Sequence, residues 1–433
     1  MKPLFSNIIT TFFLFFLFLL FQPFFVLSNE SASSGNSKSA LSFFDKGGSD
    51  LIMMQAFHWE SHMVKPWWNI IKSKASDIKA SNIDLLWLPP SSVACSDEGY
   101  LPSRLYHQNS QYGTEDQLKK CISSLHSKNI KVLADIVINH RVGSSDWADF
   151  TEPKWGPEAV CKDDEWAWAK GAPDTGSGYS AARDIDHTNK NVQQSIIKWL
   201  QWMQTSIGYD GWRFDYVKGF GGKYIQKYVA ATKPFFAVGE FWDYLNMNNP
   251  DAHRQQLCDW LDTTSGTSFA FDFTTKGILQ KAVNTGEYWR LIDKENKPAG
   301  LIGWWPQRAV TFVDNHDTGP STGGDGGQNH WPFPANNVAQ GYCYILTHPG
   351  VPCIYWVHFY DWGIKNELKK LINIRKKYKI TSLSKVKIAK AHNNLYAAYI
   401  DSKIAMKIGS DNWTPGTEWT LIASGNNYAV WTK

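Results

Sequence analysis

The sequence predicts an α/β fold, a (β/α)8 barrel of the TIM type, with an irregular insertion domain after the third strand and a C-terminal antiparallel β domain. Three observations carry that prediction. Eight short apolar runs recur, at 51–57, 83–88, 132–138, 211–215, 235–239, 268–271, 309–313 and 351–355. They are continuous rather than alternating, as parallel strands buried on both faces require. Amphipathic segments precede several of them: Leu118, Cys121, Ile122 and Leu125 recur at helical spacing, as do Ile196, Ile197, Leu200 and Met203. Short links carrying Asn82, Asn129 or Gly208 then lead into the next strand. A doubly wound open sheet is the alternative, but no Gly-x-Gly-x-x-Gly follows the first strand.

Taken in order, residues 1–28 stand apart. Lys2 is the only charge before Glu30, and 11–21 is almost entirely Phe and Leu. This reads as a secretory signal, with Ser28, Ser31 and Ala32 in a plausible cleavage zone. The apolar stretch 8–27 is also long enough to span a bilayer, so an uncleaved anchor is the alternative. The expected location is the secretory pathway, extracellular or apoplastic, with no membrane attachment after cleavage and the chain acting as a monomer. Asn29 and Asn412 head Asn-x-Ser/Thr sequons that such a route could use.

The barrel is assigned to 29–374. Within it, 141–184 is rich in Trp, Asp, Gly, Pro and Ser and lacks helical periodicity, which marks the insertion domain. From 375 to 433 the segments become short and alternating, at 395–400, 404–408, 419–422 and 428–431, separated by turn residues. The six cysteines form no CxxC pair and no dense pattern, so neither a zinc site nor a disulfide scaffold is indicated.

Composition narrows the partner. Lys+Arg 44 against Asp+Glu 40 leaves no basic surplus for a nucleic-acid backbone. Aromatic residues make up 15% of the chain, with Trp 22. Indole needs a partner for its N–H and is an uneconomical core filler, so flat faces for a sugar ligand are one reading and ordinary packing is the other.

In such a barrel the reactive groups sit just past the C-terminal ends of the strands. Those positions hold Asn139 and His140 after the third strand, Arg213 and Asp215 at the fourth, Glu240 at the fifth, and Asn315, His316 and Asp317 after the seventh. Cleaving a glycosidic bond needs one carboxylate ionised and another carrying a proton. Arg213 lies two residues before Asp215 and so points the same way from a strand, where it can hold that carboxylate ionised. Glu240 follows Gly239 between apolar runs, a setting that raises a carboxyl pKa and suits the acid.

At these residues the sequence resembles the secreted α-amylases of the retaining α-glucan hydrolase family, most closely the plant type. DIVINHR (135–141), GWRFDYVKG (211–219), AVGEFWD (237–243) and TFVDNHDTG (311–319) are similar to the four regions that define that family. The resemblance implies endo-hydrolysis of α-1,4 bonds in starch and related glucans. It makes Asp215 the nucleophile, Glu240 the acid/base and Asp317 the third carboxylate, with the first two about 5–5.5 Å apart. His140 and His316 are implied donors to sugar hydroxyls, Arg213 the orienter of the nucleophile, and Tyr100 the ring that stacks on sugar. Lys218, Trp59 and Trp242 are carried over as further substrate contacts, and Trp304 with Trp305 as a surface platform for starch.

The resemblance also implies one calcium ion, held by Asn139, Asp174 and Asp184 with the carbonyls of Ser177 and Gly219. The chain departs from the family pattern at His58, His107, Gly178 and Trp356-Val357, and by a Gly-rich stretch over 319–329. Two other activities fit the same motifs: a transglycosylase on these substrates, or a weakly active or inactive starch-binding protein.

Overall fold

The computed structural model describes residues 48–143, 148–322 and 326–433. The expected signal segment 1–28 and the Asn29 sequon lie outside them. All eight apolar runs contain a strand: β1 (Met53–Gln55), β2 (Leu85–Trp87), β3 (Lys131–Ile136), β4 (Gly211–Phe214), β5 (Ala237–Gly239), β6 (Phe269–Phe271), β7 (Ala309–Phe312) and β8 (Val351–Tyr355). They pair in parallel, in chain order, and β8 closes the barrel on β1, with Met53 opposite both Leu85 and Cys353. Apart from Lys131, every residue in these strands is buried, which is why their sequences do not alternate.

A principal helix follows each strand: α1 (Trp67–Ala80), α2 (Glu115–His126), α3 (Lys190–Trp202), α4 (Gly222–Thr232), α5 (Pro250–Thr263), α6 (Phe273–Thr285), α7 (Val338–Thr347) and α8 (Lys365–Lys377). Helix α2 starts at a reciprocal cap between Thr114 and Gln117 and buries Leu118, Cys121, Ile122 and Leu125, the expected stripe. Asn129 then takes φ 55° and turns the chain into β3. Helix α3 buries Ile196 and Leu200, but Ile197 is only half-buried; Trp199 takes the core place beside them and donates its indole N–H to the Leu105 carbonyl at 2.8 Å. Gly211, at the start of β4, has no room for a side chain, because a Cβ would meet the Phe236 carbonyl oxygen at 2.1 Å.

The insertion leaves and returns through one small ladder, His140–Arg141 against Arg183–Asp184. Its irregular chain is pinned by buried Arg141. That guanidinium donates to the Pro153 carbonyl at 2.7 Å and twice to Ser103, and it lies 4.9 and 4.8 Å from the rings of Phe150 and Trp155. The guanidinium thus reinforces the insertion's small apolar core, in which Phe150, Trp155, Ala159 and Val160 are buried.

Helix α8 runs through residue 374 to Lys377, past the expected boundary. Arg375 explains this: it is buried and donates to the carbonyls of Leu346, His348 and Gly350, at 3.1, 2.7 and 2.6 Å, tying the last turn to the α7–β8 connection. Beyond it, β9 (Val386–His392), β10 (Leu395–Ile400), β11 (Ile404–Ile408), β12 (Thr420–Gly425) and β13 (Tyr428–Thr432) form an antiparallel sheet in the order β9-β10-β11-β13-β12. Strand β9 was not among the expected segments. It is an edge strand with no buried residue and with Lys387 and Lys390 exposed, a pattern that protects an edge and weakens the sequence signal. All six cysteines are free, and Cys121, Cys161, Cys343 and Cys353 are buried. Among the described residues no helix is long and apolar enough to cross a membrane.

Behind the rim, Asp314 and Lys276 form an ion pair of 3.0 Å with neither side chain exposed. Asp314 also accepts from Thr318 Oγ1 at 2.9 Å and from the Phe333 amide, so it joins α6 to both ends of the segment after β7. Replacing one partner strands the other charge in the interior. Lys276→Met is expected to remove about 3–5 kcal/mol of stability, read as a fall in the midpoint of denaturant unfolding, and a Lys276→Met/Asp314→Leu double variant should recover part of the loss.

Candidate active site

The site is organised around Arg213, which projects from β4 and is wholly buried. Strand register sets Asp135 of β3 directly beside it. Nη1 donates to Asp135 Oδ1 at 2.8 Å and to Asp215 Oδ1 at 2.7 Å. Nη2 lies 2.7 Å from Glu240 Oε1, a charge contact without hydrogen-bond alignment, so neither atom has a bonded partner there. Asp215 and Glu240 sit one residue past β4 and β5; their backbone amides still bond to Ile136 and Phe214, which carries the barrel's rigidity onto both acids.

Electrostatics treat the acids differently. Burial pushes Glu240 well above the usual carboxylate range, against the pull of Arg213, and the charges of Asp215, Asp317 and Asp135 push the same way. Asp317 is pushed up to about 7, again by burial against Arg213, and Asp135 to about 6. Burial opposes the charge of Arg213 itself, but Asp135, Glu240 and Asp215 hold its pKa well above the ordinary value. Burial, with Arg213 nearby, drives His316 well below the ordinary imidazole range, so it is neutral. Its Nδ1 pairs with Gln55 Nε2 at 2.9 Å, which leaves Nε2 facing Asp317 Oδ2 at 3.4 Å.

An aromatic wall flanks these acids. Trp59, Tyr100 and His316 lie nearly parallel: Tyr100 is 5.2 Å from His316 at 7°, and Trp59 is 6.0 Å from Tyr100 at 4°. Tyr100 Oη donates to Asp135 Oδ2 at 2.8 Å, which fixes the ring's plane. On the other side Tyr216, Lys218, Glu240, Trp242, Asp243 and Tyr244 line a cleft of about 290 Å³. There Lys218 faces Asp243 at 3.4 Å, and Trp242 stacks on Phe273 at 5.3 Å.

Two expected roles fit less well. His140 is buried and stacked on Tyr179 at 3.9 Å, and both ring nitrogens face protein groups: Nε2 the Tyr100 carbonyl at 2.8 Å, Nδ1 the Asn139 amide at 3.4 Å. No N–H of His140 is left for a sugar in this arrangement, because the Tyr100 carbonyl and the Asn139 amide take its two ring nitrogens. Trp304 has one face against Arg254 at 3.9 Å, and Trp305 packs on the core, so the two are half-buried and do not form an open platform of paired faces. Conversely, sequence reading missed Asp135 as a site residue, although it lies in the DIVINHR motif opposite Arg213. Trp87 belongs to the site as well. That ring lies 4.7 Å under the Arg213 guanidinium, and its N–H donates to Asp135 at 3.0 Å.

Of the expected calcium ligands, Asn139, Asp184 and Gly219 meet where the insertion returns. Asn139 donates to Asp184 Oδ1 at 3.1 Å, and its Oδ1 lies so near Gly219 that a Cβ there would meet it at 2.0 Å. The Ser177 amide bonds to the Lys218 carbonyl at 3.0 Å. Asp174 Oδ2 is buried with no partner, and burial pushes Asp184 up to about 7, with the charges of Asp174 and Asp164 adding. Among the described residues no group of three or more His, Cys, Asp or Glu side chains is arranged for a metal. The set here has two carboxylates, an amide and main-chain oxygens, which is the hard-oxygen donor type that suits calcium.

A closed parallel barrel that gathers Asp215, Glu240 and Asp317 with a shared guanidinium at the C-terminal ends of its strands defines the class: a barrel-type glycoside hydrolase. The chain belongs to the α-amylase family. Residues 68–366 match the model "Alpha amylase, catalytic domain", and 377–432 match "Alpha-amylase C-terminal beta-sheet domain". The chain is 45% identical to "Probable alpha-amylase 2" of Arabidopsis thaliana, over 88% of this chain and 94% of that one. It is 43% identical to "Alpha-amylase 3, chloroplastic" of the same plant, over 88% of this chain and 44% of that longer one. Among solved structures, an Anoxybacillus α-amylase superposes with TM-score 0.63 at 17% identity, covering 88% of this chain and 98% of that one. The cyclomaltodextrin glucanotransferase CldA superposes with TM-score 0.65 at 14% identity, covering 88% and 99%, and both likenesses speak to the fold alone.

Asp135 and Asp317 hold protons in the folded chain above the pH at which the unfolded chain has released them, about 4. The folded state therefore binds more protons across that interval, and this cluster's contribution to stability falls as pH rises from about 4 to 7. Thermal midpoints measured across that interval should fall less steeply in Asp317→Asn than in the parent chain.

Proposed function

We propose that this chain cleaves internal α-1,4-glucosidic bonds of starch and related glucans with retention of configuration. The single observation that carries the reading is Arg213 touching Asp215 and Glu240 at once, hydrogen-bonded to the first and unaligned with the second. An aligned, charge-assisted bond suits a carboxylate that must act ionised. A buried carboxyl pushed to high pKa suits one that must donate a proton. Asp215 Oδ attacks the anomeric carbon while Glu240 gives its proton to the leaving oxygen, which departs as a free hydroxyl. A glycosyl ester forms on Asp215. Glu240, now ionised, takes a proton from water, the hydroxide oxygen bonds to the anomeric carbon, and Asp215 is released. Asp317 accepts hydrogen bonds from sugar hydroxyls, His316 Nε2 donates beside it, and Tyr100 with Trp59 supplies the stacking wall. Lys218 and Trp242 line the opposite cleft.

One calcium ion is part of the same reading. Asn139, Asp174 and Asp184, with the carbonyls of Ser177 and Gly219, would hold it; when bound, it would neutralise the two carboxylates and tie the insertion to the rim. The charge pattern of residues 1–28 and the exposed sequon at Asn412 support passage through the secretory route. Monomeric action belongs to the proposal as well.

The test is an assay of the purified chain on soluble starch beside Asp215→Asn and Glu240→Gln, following reducing ends and the anomer first released. Both variants are expected to lose about a thousandfold or more in kcat, and the parent should release the α-anomer. Absence of starch cleavage by the calcium-loaded parent refutes the reading; new linkages without net gain of reducing ends would make it a transferase. Chelation of calcium is expected to lower the thermal midpoint and the activity together, with calcium restoring both.

A further inference from the structure

Asp317 already has a partner for one of its oxygens, supplied from the Gly-rich segment that follows it. Gln328 Nε2 donates to Asp317 Oδ1 at 2.7 Å. Gln328 Oε1 lies 2.7 Å from His330 Nε2, and the His330 amide donates to the Asp317 carbonyl at 3.0 Å. Both ends of the Gln328 amide are therefore engaged, with its N–H aimed at the carboxylate.

The described residues of the segment are held against the first strand's loop and the end of the eighth strand. The Gly327 amide donates to Glu60 Oε1 at 2.6 Å, Thr322 Oγ1 is 3.0 Å from His58 Nε2, and Tyr355 Oη donates to the Pro320 carbonyl at 2.8 Å. Gly326 and Gly327 take φ 74° and 77°, and a left-handed turn of this kind is what allows the Gly327 amide to face Glu60. Burial lowers His58 to about 4, so its bond to Thr322 is between neutral groups. His58 is one of the positions at which this chain departs from the family pattern, and here it has a partner in the segment that is itself a departure.

We infer that Gln328 is a positioning residue for Asp317: its amide, hung from Glu60 through the Gly327 main chain, orients the carboxylate that meets the sugar by donating to one of its oxygens. The inference rests on the hydrolase reading for what Asp317 does, but the contact itself does not. A donor to a carboxylate favours its charged form. Burial raises Asp317, Asp215 and Asp135 add to the rise, and Arg213 and Gln328 oppose it. Glu240, His316, Tyr100, Tyr179 and Tyr355 also share its field. Oδ2 is left toward His316, so the amide constrains the carboxylate while one oxygen stays available.

The experiment compares the full chain with Gln328→Ala, Gln328→Met and Glu60→Ala by two readouts. The first is kcat and KM on soluble starch across pH. The second is the carbon-13 carboxyl titration of aspartate-labelled protein, with Asp317 assigned by its disappearance in Asp317→Asn. In both Gln328 variants Asp317 should titrate at higher pH than in the parent. The acidic limb of kcat should move up with it, and kcat on that limb should fall about tenfold with KM nearly constant. Glu60→Ala should move both in the same direction by less.

An unmoved Asp317 titration in the Gln328 variants overturns the inference even where activity falls, because that pattern belongs to general damage of the loop. Higher kcat in Gln328→Ala with an unmoved limb also overturns it, since the contact then blocks substrate. Should Gln328→Ala fail to fold, Gln328→Met is judged by the same two readouts. A parent chain that cleaves no glucan, with Asp317 still shifted in the variants, upholds the positioning role and removes the hydrolase reading.

Discussion

Arg213 holds a positive charge in a place with no solvent access, and the arrangement of the rim follows from that constraint. An ion moved from water into the interior is stable only when counter-charges and hydrogen bonds replace its hydration. Here they come from three strands in succession: Asp135 on β3, Asp215 at the end of β4 and Glu240 at the end of β5. Trp87 of β2 closes the fourth side with its ring face. A guanidinium has a rigid, planar set of donors, so it cannot satisfy three carboxylates equally. The inequality separates the two acids chemically: the same group that bonds to one leaves the other buried and poorly solvated.

Buried charges reinforce the hydrophobic core around this centre. Arg141 anchors the insertion through carbonyls and two rings, Asp314 with Lys276 ties α6 to the segment after β7, and Arg375 fastens the last barrel helix. Each puts one charge among main-chain acceptors or one opposite charge, where loss of a single partner is costly. The loops that build the site can thus be polar and irregular without being loose. Three of the residues that depart from the family pattern follow the same logic. His107 pairs with Glu152, His58 bonds to Thr322, and Trp356 is buried against Trp67. Each of the three has a partner inside this chain, so these departures read as local re-pairing.

The barrel and the three acids were legible in the sequence because their causes are local. A strand buried on both faces has to be continuously apolar, and the groups just past its end have to face the rim. The left-handed residues Asn82, Asn129 and Gly208 marked helix exits for the same kind of reason. Strand β9 was not legible, since an exposed edge places no demand on its side chains beyond alternation. Nor was the π turn Met203–Ile207 that ends α3, where the helical spacing simply continues.

What the sequence determined by itself was which residues could not be elsewhere: eight apolar strands, and acids that the backbone period places at their ends. Only the tertiary structure decided which of those groups meet. Asp135 became part of the site through its register opposite Arg213, and Trp87 through its position beneath it. Gln328 reached Asp317 across a Gly-rich turn, and Tyr179 occupied the face of His140. Residue periodicity specifies direction along one element, whereas partner, distance and pKa depend on which other elements burial brings alongside.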